Sequence, residues 1–218
     1  MEKLIARERH IEIQIVGDGT GAVSHLWERD CSLQRRNQKL IEIAPSPLLD
    51  ASIRDDMIDS ALKLAGAVNY RGLGTFEFLV DEDHPGRFYF MEANPRIQVE
   101  HTITEEITGV DLVQTQLQLF GGQSLTDLAL ESPPTKRGFA IQARINSETL
   151  YADGHATAAT GTLSTYEPPS GPGLRVDGYG YAGYTVSPSF DSLLAKLVAH
   201  GSDYPTTLRR LYRALCEF

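Results

Sequence analysis

Between Arg9 and Val16 the chain alternates without a break: Ile11, Ile13 and Ile15 point one way, His10, Glu12 and Gln14 the other. A period of two predicts a strand with one apolar face. Gly17-Asp18-Gly19-Thr20-Gly21 follows. No helical pattern comes after it, so a hairpin turn is expected rather than a phosphate loop, with a second strand over Ala22 to Trp27. A further strand is expected at Leu40 to Ile43, broken off near Pro45. From about Pro47 to Val68 the period changes. Ile53, Met57, Ala61 and Ala65 recur every four residues with Ile58 and Leu62 alongside, which predicts a helix capped by Asp50 or Ser52. Thr75 to Val80 and Arg87 to Glu92 are apolar strands joined by a turn over Asp81 to Gly86. Thr102 to Gly109 is read as a short polar stretch. Val110, Val113, Leu117 and Phe120 mark an amphipathic helix ended by Gly121-Gly122.

Residues 123–136, with Pro133-Pro134, read as a connection. Beyond them the pattern is mostly strands: alternation from Phe139 to Asn146, short segments at Gly161 to Tyr166 and Leu174 to Asp177, and Leu193 to Val198. Tyr204-Pro205 opens a last helix with Leu208, Leu211, Tyr212 and Leu215 at helical spacing. The expected fold class is α+β. Its parts are residues 1–122, the connection 123–136, and a smaller, mostly-β subdomain at 137–218 that stops unfinished.

Composition narrows the partners. The 218 residues are 41% hydrophobic, enough for a real core, and carry a formal net charge of -9, which argues against nucleic acid. Cys31 and Cys216 lie far apart and match no metal spacing, so a reducing, cytoplasmic setting is expected. No apolar run is long enough for a membrane span, and none is expected.

The densest chemistry lies between Phe88 and His101. An apolar strand delivers Glu92, Asn94, Arg96, Gln98, Glu100 and His101 within ten positions, the usual construction of a ligand cleft. In extended chain, Glu92, Asn94, Arg96, Gln98 and Glu100 share one face. Glu77 lies on the neighbouring antiparallel strand. If the register puts Glu77 and Glu92 on one face, they repel unless a cation sits between them. With Asn94 the donors are all oxygen, which suits magnesium or manganese; the plain alternative is two acids on an exposed face. Glu28 to Lys39, crowded with charge and amides, reads either as a solvated loop or as a surround for an anion. His10 and Arg175, taken alone, are as readily ordinary surface residues.

Several stretches together resemble the biotin carboxylases, a branch of the ATP-grasp ligases. They are Arg9 to Gln14, Glu28 to Lys39, Gly74 to Phe78, Met91 to His101 and Phe190-Asp191-Ser192, in family order. The resemblance implies the C-terminal part of an ATP-grasp domain, an antiparallel sheet with flanking helices, followed by most of a biotin carboxylase C-terminal domain. It implies that bicarbonate is phosphorylated by ATP to carboxyphosphate, which yields carbon dioxide to biotin on a carrier domain. By similarity Glu77, Glu92 and Asn94 hold Mg2+ or Mn2+. Lys39, Arg96, Gln98 and Val99 hold bicarbonate. Glu100 is the base, with His101 read as a residue that orients it, and Arg96 also stabilises the enolate form of biotin. Arg175 contacts biotin or phosphate. Glu2, Lys3, Ile5, His10 and Gln34 surround the base and ribose of ATP, and Leu79 and Met91 wall the adenine. The implied partners are a biotin carboxyl carrier domain and a carboxyltransferase domain, with a homodimer as a further expectation.

Two departures stand out. Asn37 occupies a position where the family usually has histidine and where urea carboxylases have a similar asparagine, and Tyr151 to Thr160 differs from the family pattern. The family's lid and glycine-rich phosphate loop are not in this sequence, so the chain is expected to be a fragment that binds ATP weakly and does not turn over. The other readings are a non-catalytic scaffold or dimerisation module, and an ATP-grasp ligase of the carbamoyl-phosphate synthetase type. The second shares Glu-x-Asn-x-Arg but lacks Gln98-Val99-Glu100-His101.

Overall fold

The computed structural model describes residues 4–187 and 189–218. Its centre is an eight-stranded sheet whose neighbouring strands are antiparallel. The contributing strands are β1 (Glu8–Asp18), β2 (Val23–Arg35), β3 (Gln38–Ala44), β4 (Arg71–Asp81), β5 (Phe88–Asn94), β6 (Phe139–Asn146), β10 (Leu174–Gly178) and β12 (Leu193–Gly201). Across the sheet they run β10-β12-β6-β3-β2-β1-β4-β5. Short pairs β7 (Glu148–Leu150) with β8 (Ala156–Ala158), and β9 (Gly161–Thr162) with β11 (Thr185–Val186), lie outside it. Residues 123–136 contain no helix or strand. The sheet nonetheless runs through both parts of the chain, because β3 pairs with β6.

Helices cover both faces. On one face α1 (Ala51–Ala67) packs Met57, Ile58, Ala61 and Ala65 on Ile11, Ile13, Ile15, Phe76 and Phe78. Asp50 caps α1 by accepting from the Ser52 amide at 2.8 Å, as its position predicts. On the same side α4 (Tyr204–Glu217) sets Leu211 and Ala214 against Ile141, Ala143, Leu197 and Ala199. The opposite face takes α2 (His101–Thr108), through Ile103 and Ile107, and α3 (Leu112–Phe120), through Leu112 and Leu119.

Four expectations need correction. Glu28 to Lys39 is not a loop: β2 runs on to Arg35, and Glu28, Arg29, Asp30 and Cys31 are buried. The chain turns only at Arg36 and Asn37, both left-handed (φ +51° and +63°), the geometry of a two-residue hairpin that asparagine accepts well. Charge density misled here, because the charges are paired across strands rather than solvated. Thr102 to Gly109, read only as a short polar stretch, belongs to the helix α2, whose Thr102 and Thr104 are buried. The shared extended face ends at Asn94; Arg96 to Glu100 lies in a turn leading into α2. Finally, α3 and α4 lie where expected, but their inward faces differ. Val113, Leu117 and Phe120 are exposed on α3, as are Leu208, Tyr212 and Leu215 on α4, where Leu211 of the expected stripe is buried; Leu112, Thr115, Leu119, Thr207 and Ala214 also turn inward.

No described helix is long and apolar enough to cross a membrane.

Candidate functional site

The polar half of β1 is not a surface. Glu12 and Gln14 are fully buried on the face covered by α2. Arg29 reaches them from β2, buried to the same degree. It donates from Nε to Glu12 Oε1 at 2.5 Å and from a terminal nitrogen to Gln14 at 2.7 Å and Thr104 at 2.9 Å. A β-bulge makes this possible. The register slips between Ile13–Glu28 and Ile15–His25, and Trp27 takes the left-handed conformation (φ +70°). Leu26 and Arg29 are three residues apart, yet Leu26 packs with Val16 while Arg29 joins Glu12, all on the α2–α3 face.

Above this floor opens a cleft of about 420 Å³ lined from β1, β2, β3, β4, β5 and β6 and the turn before α2. His10, Gln34, Lys39, Glu77, Met91, Glu92, Asn94, Arg96, Gln98, Val99 and Glu100, all singled out in the sequence, line it together. Glu77 stands directly opposite Glu92 across β4 and β5. The Asn94 amide nitrogen lies 2.8 Å from Oε1 of each. Glu77 also receives Gln98 Nε2 at 2.8 Å and meets His10 Nε2 at 2.5 Å, and His10 Nδ1 faces the Gln34 amide at 3.0 Å. Burial works against the Glu77 carboxylate, but the His10 hydrogen bond, Lys39 and Gln98 outweigh it and hold its pKa at about 2.

Lys39 is the hub of the opposite wall. Its ammonium donates to Glu12 at 2.7 Å and Glu100 at 2.6 Å and lies 3.5 Å from Glu77. These acids overcome burial and raise its pKa well above the ordinary lysine value. Glu100 is buried, which opposes ionisation, but Lys39, Arg29 and Arg144 together keep its carboxyl below the usual range. Arg96 is exposed and bonds the Ile97 carbonyl at 3.3 Å. The buried Gln98 Oε1 has no hydrogen-bond partner among the described residues. Such an acceptor, in a cleft that Lys39 and Arg96 also line, suits a small anion carrying a hydroxyl.

The remaining predicted residues sit elsewhere. Ile5 is buried and Leu79 half-buried beside His10 in the register, and neither lines the cleft. Arg175, on β10, is outside the cleft as well. It is held by Asp177 and Glu105, each at 2.8 Å, and these bonds raise its pKa above the usual arginine value despite partial burial. His101 Nδ1 donates to the Gln98 carbonyl at 2.7 Å, and its Nε2 faces Glu105 at 3.7 Å rather than Glu100. Glu2 and Lys3 lie outside the described residues. Reading the sequence missed Glu12, Arg29, Glu42 and Arg144. The available signal was the alternation of polar residues on β1 and β6, which looks like a solvent face until a second layer is known to cover it.

Residues 1–128 match the family described as "Carbamoyl-phosphate synthase L chain, ATP binding domain", and residues 142–218 match "Biotin carboxylase C-terminal domain". The whole chain is 49% identical to a biotin carboxylase of Nostoc sp., covering 47% of that protein. It is also 49% identical to a pyruvate carboxylase of Aspergillus niger, covering 18% of it. The chain thus spans about half of the first relative and less than a fifth of the second. Among solved structures, the biotin carboxylase domain of a single-chain bacterial carboxylase superposes with a TM-score of 0.90 at 51% identity, over 100% of this chain and 49% of that one.

Proposed function

The chain belongs to the family of the carbamoyl-phosphate synthase L chain ATP-binding domain, in its biotin carboxylase branch, and on that premise we propose that it forms the metal- and bicarbonate-handling side of a site that carboxylates biotin at the expense of ATP. One observation carries the reading. The facing pair Glu77–Glu92, bridged by Asn94, opens into the same cleft as the Lys39–Glu100 ion pair.

The donor set fits a hard divalent cation. Glu77 and Glu92 each lend a carboxylate oxygen to the Asn94 amide nitrogen at 2.8 Å, and with that amide turned over the three side chains would offer oxygen only. Bound there, Mg2+ or Mn2+ offsets charge on the transferring phosphoryl group of ATP. The chain's own residues do the rest. Lys39 and Arg96 supply positive charge for bicarbonate, and Gln98 Oε1 accepts a hydrogen bond from its hydroxyl. Glu100, kept ionised by its cationic neighbours, takes the proton when bicarbonate is activated. Arg96, exposed and lining the cleft, stabilises negative charge on the ureido oxygen of biotin. Biotin arrives on a carrier domain, and a carboxyltransferase domain carries the carboxyl group onward. Turnover belongs to the longer polypeptide, because carboxyphosphate must be shielded from water.

ATP cleavage by the complete carboxylase, with and without bicarbonate, tests this. Stimulation by bicarbonate is expected, with a loss of roughly 100-fold or more in Glu100→Gln. Cleavage indifferent to both bicarbonate and Glu100→Gln would sink the reading.

A further inference from the structure

Val99 is a partition between two spaces. On one side it lines the cleft. On the other it lines a second cavity of about 170 Å³, bounded also by Asp177, Tyr179, Leu194 and Lys196. Lys196, on β12, belongs to that second cavity and does not line the cleft. Its ammonium donates to the Val99 carbonyl at 3.2 Å. Asp177 stands opposite it on β10, with a carboxylate oxygen 3.6 Å away, and only 13% of the Lys196 side chain is exposed. The preceding carbonyl is held as well. Gln98 O accepts from His101 Nδ1 at 2.7 Å and from the His101 amide at 3.2 Å. Two consecutive carbonyls of the turn are thus fixed by residues that lie outside the cleft.

We propose that Lys196 is a positioning residue for bicarbonate: braced by Asp177, it holds the Val99 carbonyl on the far side of the turn and so fixes the backbone that carries Gln98 and Glu100 into the cleft. The inference rests on the reading of that cleft as the bicarbonate site. A trans peptide is planar, so its carbonyl and its N–H point in opposite directions. Holding the Val99 carbonyl turns the other end of the same peptide, the Glu100 N–H, away from Lys196. The cavity behind Val99 leaves room for this peptide to rotate, and the ammonium removes that freedom. A charged donor on the carbonyl also polarises the peptide and strengthens its N–H as a donor to an anion. The brace comes from the other matched part of the chain. Lys196 lies in the biotin carboxylase C-terminal match and Val99 in the ATP-binding match.

The test is Lys196→Met in the complete carboxylase. Asp177 keeps both of its oxygens on Arg175, at 2.9 and 2.8 Å, so the variant leaves no carboxylate unpaired. The KM for bicarbonate in ATP cleavage is expected to rise roughly tenfold with the KM for ATP unchanged, and Lys196→Arg, which keeps a charged donor, should recover part of it. An unchanged KM for bicarbonate, or equal rises in both constants as a general loosening would give, overturns the proposal. Where the methionine variant does not fold, Lys196→Gln is read against the same two outcomes. The bond itself is followed by NMR of the 218-residue chain. Valine labelled with 13C at the carbonyl and glutamate labelled with 15N mark one peptide, because Val99–Glu100 is the only valine–glutamate step in the sequence. Its carbonyl signal should move upfield in Lys196→Met, and a signal coinciding with wild type overturns the brace. Wild type that cleaves ATP without regard to bicarbonate would defeat the functional reading and this inference together. Bicarbonate dependence in wild type with an unmoved KM in Lys196→Met would defeat this inference alone.

Discussion

Glu77 and Glu92 face each other across β4 and β5, but they do not share an environment. Glu77 is buried and receives bonds from Gln98 and Asn94 beside His10, whereas Glu92 is exposed and bonded only to Asn94 among the described contacts. One acid is part of the framework, and the other is held by the Asn94 amide. Their loss should therefore separate binding from stability.

Replacing either acid by glutamine is expected to weaken Mn2+–ATP binding by roughly tenfold or more, as loss of a charged ligand does. Only Glu77→Gln should also destabilise the fold, by about 3 kcal/mol, because it leaves Lys39 and its neighbours short of a buried counter-charge. Calorimetry and urea denaturation of both variants check this. Equal stability losses would contradict the framework role of Glu77.

Arg29 is a buried guanidinium bonded to Glu12, Gln14, Thr104 and Thr75. Lysine cannot reproduce that fork. Arg29→Lys is expected to cost about 3 kcal/mol, since Glu12 keeps only part of its pairing. A change below about 1 kcal/mol in urea denaturation would show that the floor of the cleft tolerates a point charge.

His25 is buried beside Trp27, accepting its amide at 3.2 Å, and burial lowers its pKa to about 4. The folded protein therefore resists protonation that the unfolded chain accepts near pH 6.5. Stability should fall as pH drops from about 6.5 to 4, by about 2 kcal/mol from this residue after allowance for solvent screening. The slope should flatten in His25→Gln. Denaturation curves at several pH values, read from Trp27 fluorescence, measure it, and parallel slopes would count against this origin.

Gly17 and Gly86 differ in kind. A Cβ on Gly17 would lie 2.3 Å from the Tyr70 carbonyl oxygen, whereas one on Gly86 meets nothing within 4 Å and is opposed only by its positive φ of +86°. Gly17→Ala should cost about 3 kcal/mol, through overpacking against backbone. Gly86→Ala should cost about 1 kcal/mol, from strain alone. Thermal denaturation ranks them, and the reverse order would be decisive against this account.

How much of this was legible beforehand depends on range. The helix α1 and its Asp50 cap, the alternation of β1, and the pairing of Thr75–Val80 with the strand that follows are local patterns, and each stands where the sequence places it. The inward faces of α3 and α4 were misread because the apolar stripe did not coincide with the buried one; Leu117 remains 69% exposed and Phe120 61%. Periodicity shows that a helix has an apolar side, but which side is covered is decided by what packs there.

By itself, the sequence determined which residue types stand together on a strand and which chemistry they suit, because side-chain direction alternates with a period of two and ligand preference follows from the atoms. Only the tertiary structure decided that the polar side of β1 is a floor rather than a surface, that a bulge at Trp27 brings Arg29 beneath Lys39, and that Arg144 reaches Glu100 from β6. Those contacts join residues far apart along the chain, and their existence depends on strand register and on a second layer of helices, neither of which any local pattern encodes.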